Sequence, residues 1–118
     1  WPLHVAAGST LAFGTDAPTT PHWSLPNMYI ATTRKSPGDA SFDAIRPDWA
    51  LPVEEAIVHG TRDSAWAAWL EHATGVLKPG FAADITVVDR DFFAEGPDSL
   101  LKTKVAMTMM GGEIVYRD

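Results

Sequence analysis

The chain contains no cysteine among its 118 residues, which removes disulfide frameworks, thiolate metal sites and cysteine nucleophiles together. A reduced, cytoplasmic setting is the expectation that fits this composition. Any metal must then be bound through carboxylate oxygen or imidazole nitrogen. Basic residues are also scarce: nine Lys and Arg against fifteen Asp and Glu give a net charge of −6. A surface of that sign does not condense on phosphate backbones or anionic lipid, so neither nucleic acid nor a membrane is expected as a partner. No apolar run approaches the roughly 18 residues of a membrane span, and no basic stretch leads into an apolar one near Trp1. Low complexity and internal repeats are absent as well.

What is present is apolar material. Hydrophobic residues make up 46% of the chain, enough for a core in one domain of ordinary size. Pro2 opens a short helical turn that Gly8 stops. Leu11-Ala12-Phe13-Gly14-Thr15 has strand length and no polar alternation, so it predicts a strand covered on both faces, ended by Asp16-Ala17-Pro18. Residues 19–26, directly after Pro18, carry two further prolines and read as a loop. A helix is expected over residues 27–35 and a second loop over 36–49.

Pro52, with Glu54 and Glu55 in a first helical turn, marks a helix start, and Val53, Ala56 and Ile57 form its buried stripe. Gly60 interrupts it. Thr61 is placed to cap a further helix in which Trp66 and Trp69 are packing residues. After Gly75 the pattern changes to β. Lys78-Pro79-Gly80 predicts a type II turn, Ile85-Thr86-Val87-Val88-Asp89 a strand, and Gly111-Gly112 a two-residue hairpin between Val105–Met110 and Glu113–Arg117.

Taken in order, Phe13-Gly14-Thr15-Asp16-Ala17-Pro18, Arg34, Pro52-Val53-Glu54-Glu55-Ala56, Thr61 and Ala65, Gly75-Val76-Leu77-Lys78-Pro79-Gly80-Phe81-Ala82-Ala83-Asp84-Ile85 and Gly111-Gly112-Glu113-Ile114-Val115-Tyr116 resemble the tail of the amidohydrolase-3 family. That family includes N-substituted formamide deformylases and other hydrolases of carbon–nitrogen bonds. Each piece is common by itself; the ordered set is specific and spans essentially the whole chain.

The resemblance implies an α/β fold: the C-terminal portion of a (β/α)8 TIM barrel over residues 1–74, followed over residues 75–118 by strands of a small, composite β-sandwich. It places Asp16 at the carboxyl end of the last barrel strand, where such barrels carry their chemistry. There Asp16 would ligate a divalent metal, expected to be zinc, and act as general base toward a metal-activated water. The alternative is that a strand-terminal aspartate caps the following turn.

The family's remaining ligands, a His-x-His pair, a carboxylated lysine and two later histidines, have no counterparts here. His4, His22, His59 and His72 show no zinc spacing, so this chain alone is expected to hold no metal. His22, in the loop after Asp16, and Arg34, which belongs to the family motif, are candidate substrate-binding residues. A solvating role for Arg34 is equally open. His4 reads as a surface or packing residue, and His59 and His72 as structural ones. Trp23 and Tyr29 either line the substrate mouth or pack beneath the loop, and Asp84 is assigned to turn chemistry.

The expected function is therefore a fragment of a metal-dependent hydrolase acting on a small amide-type substrate, inactive alone. The alternative is a non-catalytic module. In either case 118 residues are fewer than half of the roughly 250 that a barrel takes. Exposed barrel faces then predict a homo-oligomer or association with a missing N-terminal part.

Overall fold

The structure, a computed structural model, describes residues 1–118. Five short helices, α1 (Pro2–Ala6), α2 (Leu25–Thr33), α3 (Val53–Gly60), α4 (Arg62–Ala67) and α5 (Phe92–Glu95), accompany three strands, β1 (Ile85–Val88), β2 (Val105–Met110) and β3 (Glu113–Arg117), with 3₁₀ turns at Pro47–Trp49 and Pro97–Lys102.

Helices α1, α3 and α4 form close to where local signals predict them, whereas α2 starts two residues earlier than expected, inside the predicted loop, and α5 had no sequence-based expectation. Proline occupies the first positions of α1 and α2, where its missing N–H costs nothing. Pro52 stands one residue outside α3 rather than within it, and Glu54 and Glu55 face the positive end of that helix. Asp91 caps α5 by accepting from the backbone N–H groups of Phe93 and Ala94. The Thr61 hydroxyl departs from its expected capping role: it donates backwards to the Ile57 carbonyl at 2.8 Å.

The core is a cluster of Met28, Tyr29, Ala31, Ala56 and Leu100, against which Trp1, Phe13, Leu25, Ile57 and Phe92 pack. It joins α2, α3 and the 97–102 turn. Tyr29 thus packs rather than facing solvent. Only 12 of 118 residues are buried, and large apolar side chains of the helical half, among them Leu3, Phe42, Ile45 and Leu70, are exposed. Trp66 and Trp69 show this best: they are 53% and 87% exposed, which corrects the expectation that they are packing residues. Helix α4 is six residues long and fully buries only its Asp63 and Ala65.

The sheet is an antiparallel meander in the order β1-β2-β3. Ile85 pairs with Met109 and Met110 with Glu113. Gly111 and Gly112 close the hairpin at φ 57° and 89°, the two positive angles that a type I′ turn requires. The Pro79-Gly80 turn also forms, with Phe81 N–H donating to the Lys78 carbonyl and Gly80 at φ 89°. Asp84 makes longer-range contacts in place of the expected local turn: its carboxylate accepts from Gly111 N–H at 2.8 Å and from the Thr74 hydroxyl at 2.9 Å, tying the hairpin to the helical half.

Residues 11–15 do not form a strand. Their apolar run is real, but no other extended segment of this chain lies beside it, and a strand exists only through a paired neighbour.

Candidate functional site

The segment that carries Asp16 is held without a sheet. Phe13 N–H donates to the His59 carbonyl at 3.1 Å. Four successive carbonyls then each accept a hydrogen bond: Phe13 from the Ser64 hydroxyl at 2.8 Å, Gly14 from Asn27 Nδ2 at 3.0 Å, Thr15 from the Thr20 hydroxyl, and Asp16 from Thr19 N–H at 2.9 Å. Asp16 itself has φ 55°, a left-handed conformation that aspartate tolerates better than most residues. Its carboxylate is exposed.

Behind this segment lies a buried His59–Asp63 pair with the exposed Arg62 at its edge. His59 Nδ1 is 2.7 Å from Asp63 Oδ2, and Arg62 Nε donates to Asp63 Oδ1 at 2.7 Å. Burial pushes the Asp63 carboxyl up, but the hydrogen bonds from Arg62 and His59, with their charges, outweigh it and hold Asp63 below the usual carboxylate range. The Phe13 ring meets His59 edge-on at 5.4 Å, and Trp1 meets Phe13 at 5.7 Å. His59 is thus a structural histidine with its Nδ1 engaged. His4 and His72 are exposed.

His22 is exposed at the rim of a cavity of about 530 Å³ between α2, α3 and the face of β1 and β2, lined also by Trp23, Met28, Ile57, Thr86 and Phe92. Arg34 ends α2 in a left-handed conformation, φ 62°. Its guanidinium lies 4.7 Å from the Trp1 ring centre, and its Nε donates to the Ile45 carbonyl at 3.1 Å. A second cavity lies beside Gly14, between Trp1, Phe13, Asn27, Ile30 and Ala31, and a third lies over the sheet beside Trp23 and Tyr116. No two of Asp16, His22 and Arg34 line one of these three cavities.

No three His, Asp or Glu side chains are grouped to hold a metal ion. One exposed carboxylate does not retain a divalent cation in water, so the residues of this chain alone do not fit a resident metal. No helix is long and apolar enough to cross a membrane.

Residues 1–116 match the Amidohydrolase family. The chain belongs to that family. Over 116 residues it is 34% identical to the putative amidohydrolase YtcJ of Bacillus subtilis (strain 168), a match covering 98% of this chain and 22% of YtcJ. The crystal structure of an amidohydrolase from Thermotoga maritima MSB8 has a similar fold, with a TM-score of 0.70 at 21% identity, over 97% of this chain and 24% of that one. The chain therefore spans about a quarter or less of the length of these amidohydrolases.

Sequence reasoning missed Asn27, Ser64 and the His59–Asp63 pair as parts of the amidohydrolase segment that carries Asp16. The last had a signal. His59 and Asp63 stand four residues apart, a spacing that brings two side chains together across a helical turn.

Proposed function

We propose that these residues form the C-terminal part of a longer, metal-dependent hydrolase acting on carbon–nitrogen bonds of small amides or formamides, with an N-substituted formamide deformylase-like activity as the finer reading. The observation that carries it is the family match across residues 1–116, which includes the Gly14-Thr15-Asp16 segment. The fold likeness to the Thermotoga maritima amidohydrolase supports reading residues 1–74 as the end of a (β/α)8 barrel and residues 75–118 as strands of a β-sandwich completed elsewhere in the protein.

In this reading Asp16 is the carboxylate that this chain contributes to the catalytic centre. It takes the proton released when water adds to the carbonyl carbon and passes it to the nitrogen as the C–N bond breaks. A divalent metal, zinc by expectation, is held there only with ligands from outside these residues. His22 and Arg34 are proposed substrate contacts. The setting is proposed to be cytoplasmic.

The test is hydrolysis of N-formyl- and N-acetyl-4-nitroaniline by the full-length gene product, read as release of 4-nitroaniline. Asp16→Asn is expected to lower kcat by about 10²–10⁴-fold with the fold intact. Turnover close to wild type in that variant overturns the assignment, as does a wild-type protein that hydrolyses neither compound.

A second reading is favoured by the exposure of Trp66, Trp69 and Leu70. Here the chain is a non-catalytic module that self-associates, or that joins a missing N-terminal part, through this apolar surface.

A further inference from the structure

We infer that Ser64 and Asn27 are positioning residues for Asp16. The inference rests on the reading of Asp16 as the catalytic carboxylate, and it concerns how the fold aims that group. An aspartate at the end of an extended segment is directed by the backbone before it. Here that backbone is fixed by two side chains from different elements.

Ser64 comes from α4, 51 residues after the carbonyl it meets, and Asn27 from α2, 13 residues after its own. Ser64 Oγ also lies 2.8 Å from the His59 carbonyl, whose oxygen already receives Phe13 N–H. One hydroxyl therefore sits where the 13–14 backbone meets the C-terminal turn of α3. That turn is itself fixed, because the buried His59–Asp63 pair ties α3 to α4 and the Phe13 ring rests on the imidazole. Asn27 grips the next peptide from the opposite element. Two residues later Asp16 turns into its left-handed conformation.

The result is a two-point clamp on consecutive carbonyls. Loss of one point leaves the segment attached through Phe13 N–H and the other side chain, and free to shift about them. Asp16 is three residues from Phe13, so a small rotation at the clamp moves the carboxylate by an ångström or so. Displacement of that size costs about a hundredfold in a reaction that depends on geometry, without weakening substrate binding that relies on other groups.

The experiment uses the full-length protein with Ser64→Ala, Asn27→Ala and the conservative Ser64→Thr. Two readouts are taken: hydrogen–deuterium exchange by mass spectrometry, and kinetics on N-formyl- and N-acetyl-4-nitroaniline. Ser64→Ala is expected to speed exchange in a peptide spanning residues 11–16 about fivefold or more. Exchange across the β2–β3 hairpin should stay as it was. In parallel kcat should fall about tenfold to a hundredfold at unchanged KM, and Ser64→Thr should restore both readouts.

Unchanged exchange in residues 11–16 overturns the clamp. Faster exchange with unchanged kcat overturns the positioning role and leaves a packing contact. Asp16→Asn, run alongside, separates the two claims. Wild-type turnover in that variant rejects the catalytic reading whatever Ser64→Ala does, whereas an inactive Asp16→Asn beside a fully active Ser64→Ala rejects the clamp alone.

Discussion

His59 and Asp63 stand on successive helices, yet the imidazole Nδ1 and the carboxylate Oδ2 are 2.7 Å apart with both side chains buried. The contact bridges the break at Thr61. Because the carboxylate only accepts, Nδ1 must carry the proton. His59 Nε2 has no partner. Truncating Asp63 to alanine leaves both imidazole nitrogens buried and unpaired, and is expected to cost about 3 kcal/mol in urea unfolding. Asp63→Asn retains an acceptor and should cost about 1 kcal/mol.

The same pair sets a pH dependence. Asp63 is held below the unfolded carboxylate value of about 3.9, so its contribution is fully present above that pH and disappears as pH falls through the folded value. Thermal melts of the wild type should therefore lose stability steeply below about pH 4. In Asp63→Asn that part of the slope should flatten. An equal slope in both proteins would show that other carboxylates govern acid unfolding.

Two glycines should differ sharply when changed to alanine. Gly75 has φ 89°, and an added Cβ would lie 2.6 Å from Ala65 Cβ, 3.1 Å from the Thr61 carbonyl oxygen and 3.2 Å from Arg62 Cα. None of these can swing away. Gly75→Ala is expected to cost about 2–4 kcal/mol. At Gly60 the obstacle is the terminal methyl of Met28, which can change rotamer, and the cost should be about 1 kcal/mol. Met28→Ala combined with Gly60→Ala should then show favourable coupling in a double-mutant cycle, absent for Met28 with Gly75.

Trp69 combines 87% exposure with a left-handed backbone, φ 61°. A bulky residue is strained there, whereas asparagine tolerates that conformation. Trp69→Asn should leave stability unchanged or raise it by about 0.5–1 kcal/mol. If the apolar surface formed by Trp66, Trp69 and Leu70 drives association, sedimentation velocity will show a larger monomer fraction in the variant than in wild type. Identical distributions would place the association elsewhere.

The features legible in the sequence were those decided within a few residues. Gly111-Gly112 announces a turn with two positive φ angles, Pro79-Gly80 another, and Pro52 with Glu54 and Glu55 a helix start; each depends on local sterics or the helix dipole. Residues 11–15 failed as a strand because an apolar run reports burial but not the identity of a partner. Trp66 and Trp69 failed for a related reason: helical spacing names a face without saying what covers it. The site divides in the same way. The candidacy of Asp16 rests on a local motif, whereas Ser64 bonds across 51 residues, a distance over which no periodicity carries information.

Arg34 offers the sharpest separation of a structural from a substrate-binding role. Its left-handed φ of 62° penalises any side chain with a Cβ by about 1 kcal/mol relative to glycine. Against that stand the hydrogen bond to the Ile45 carbonyl and the stacking on Trp1, each contributing about 0.5–1 kcal/mol. Arg34→Gly removes penalty and contacts together, and should destabilise by no more than about 1 kcal/mol. Arg34→Ala keeps the penalty and should destabilise by about 1–2 kcal/mol. Activity then discriminates. A substrate contact predicts that both variants lose kcat/KM equally, because both remove the guanidinium. A purely structural arginine predicts that Arg34→Gly keeps wild-type kcat/KM at a temperature where Arg34→Ala has begun to unfold.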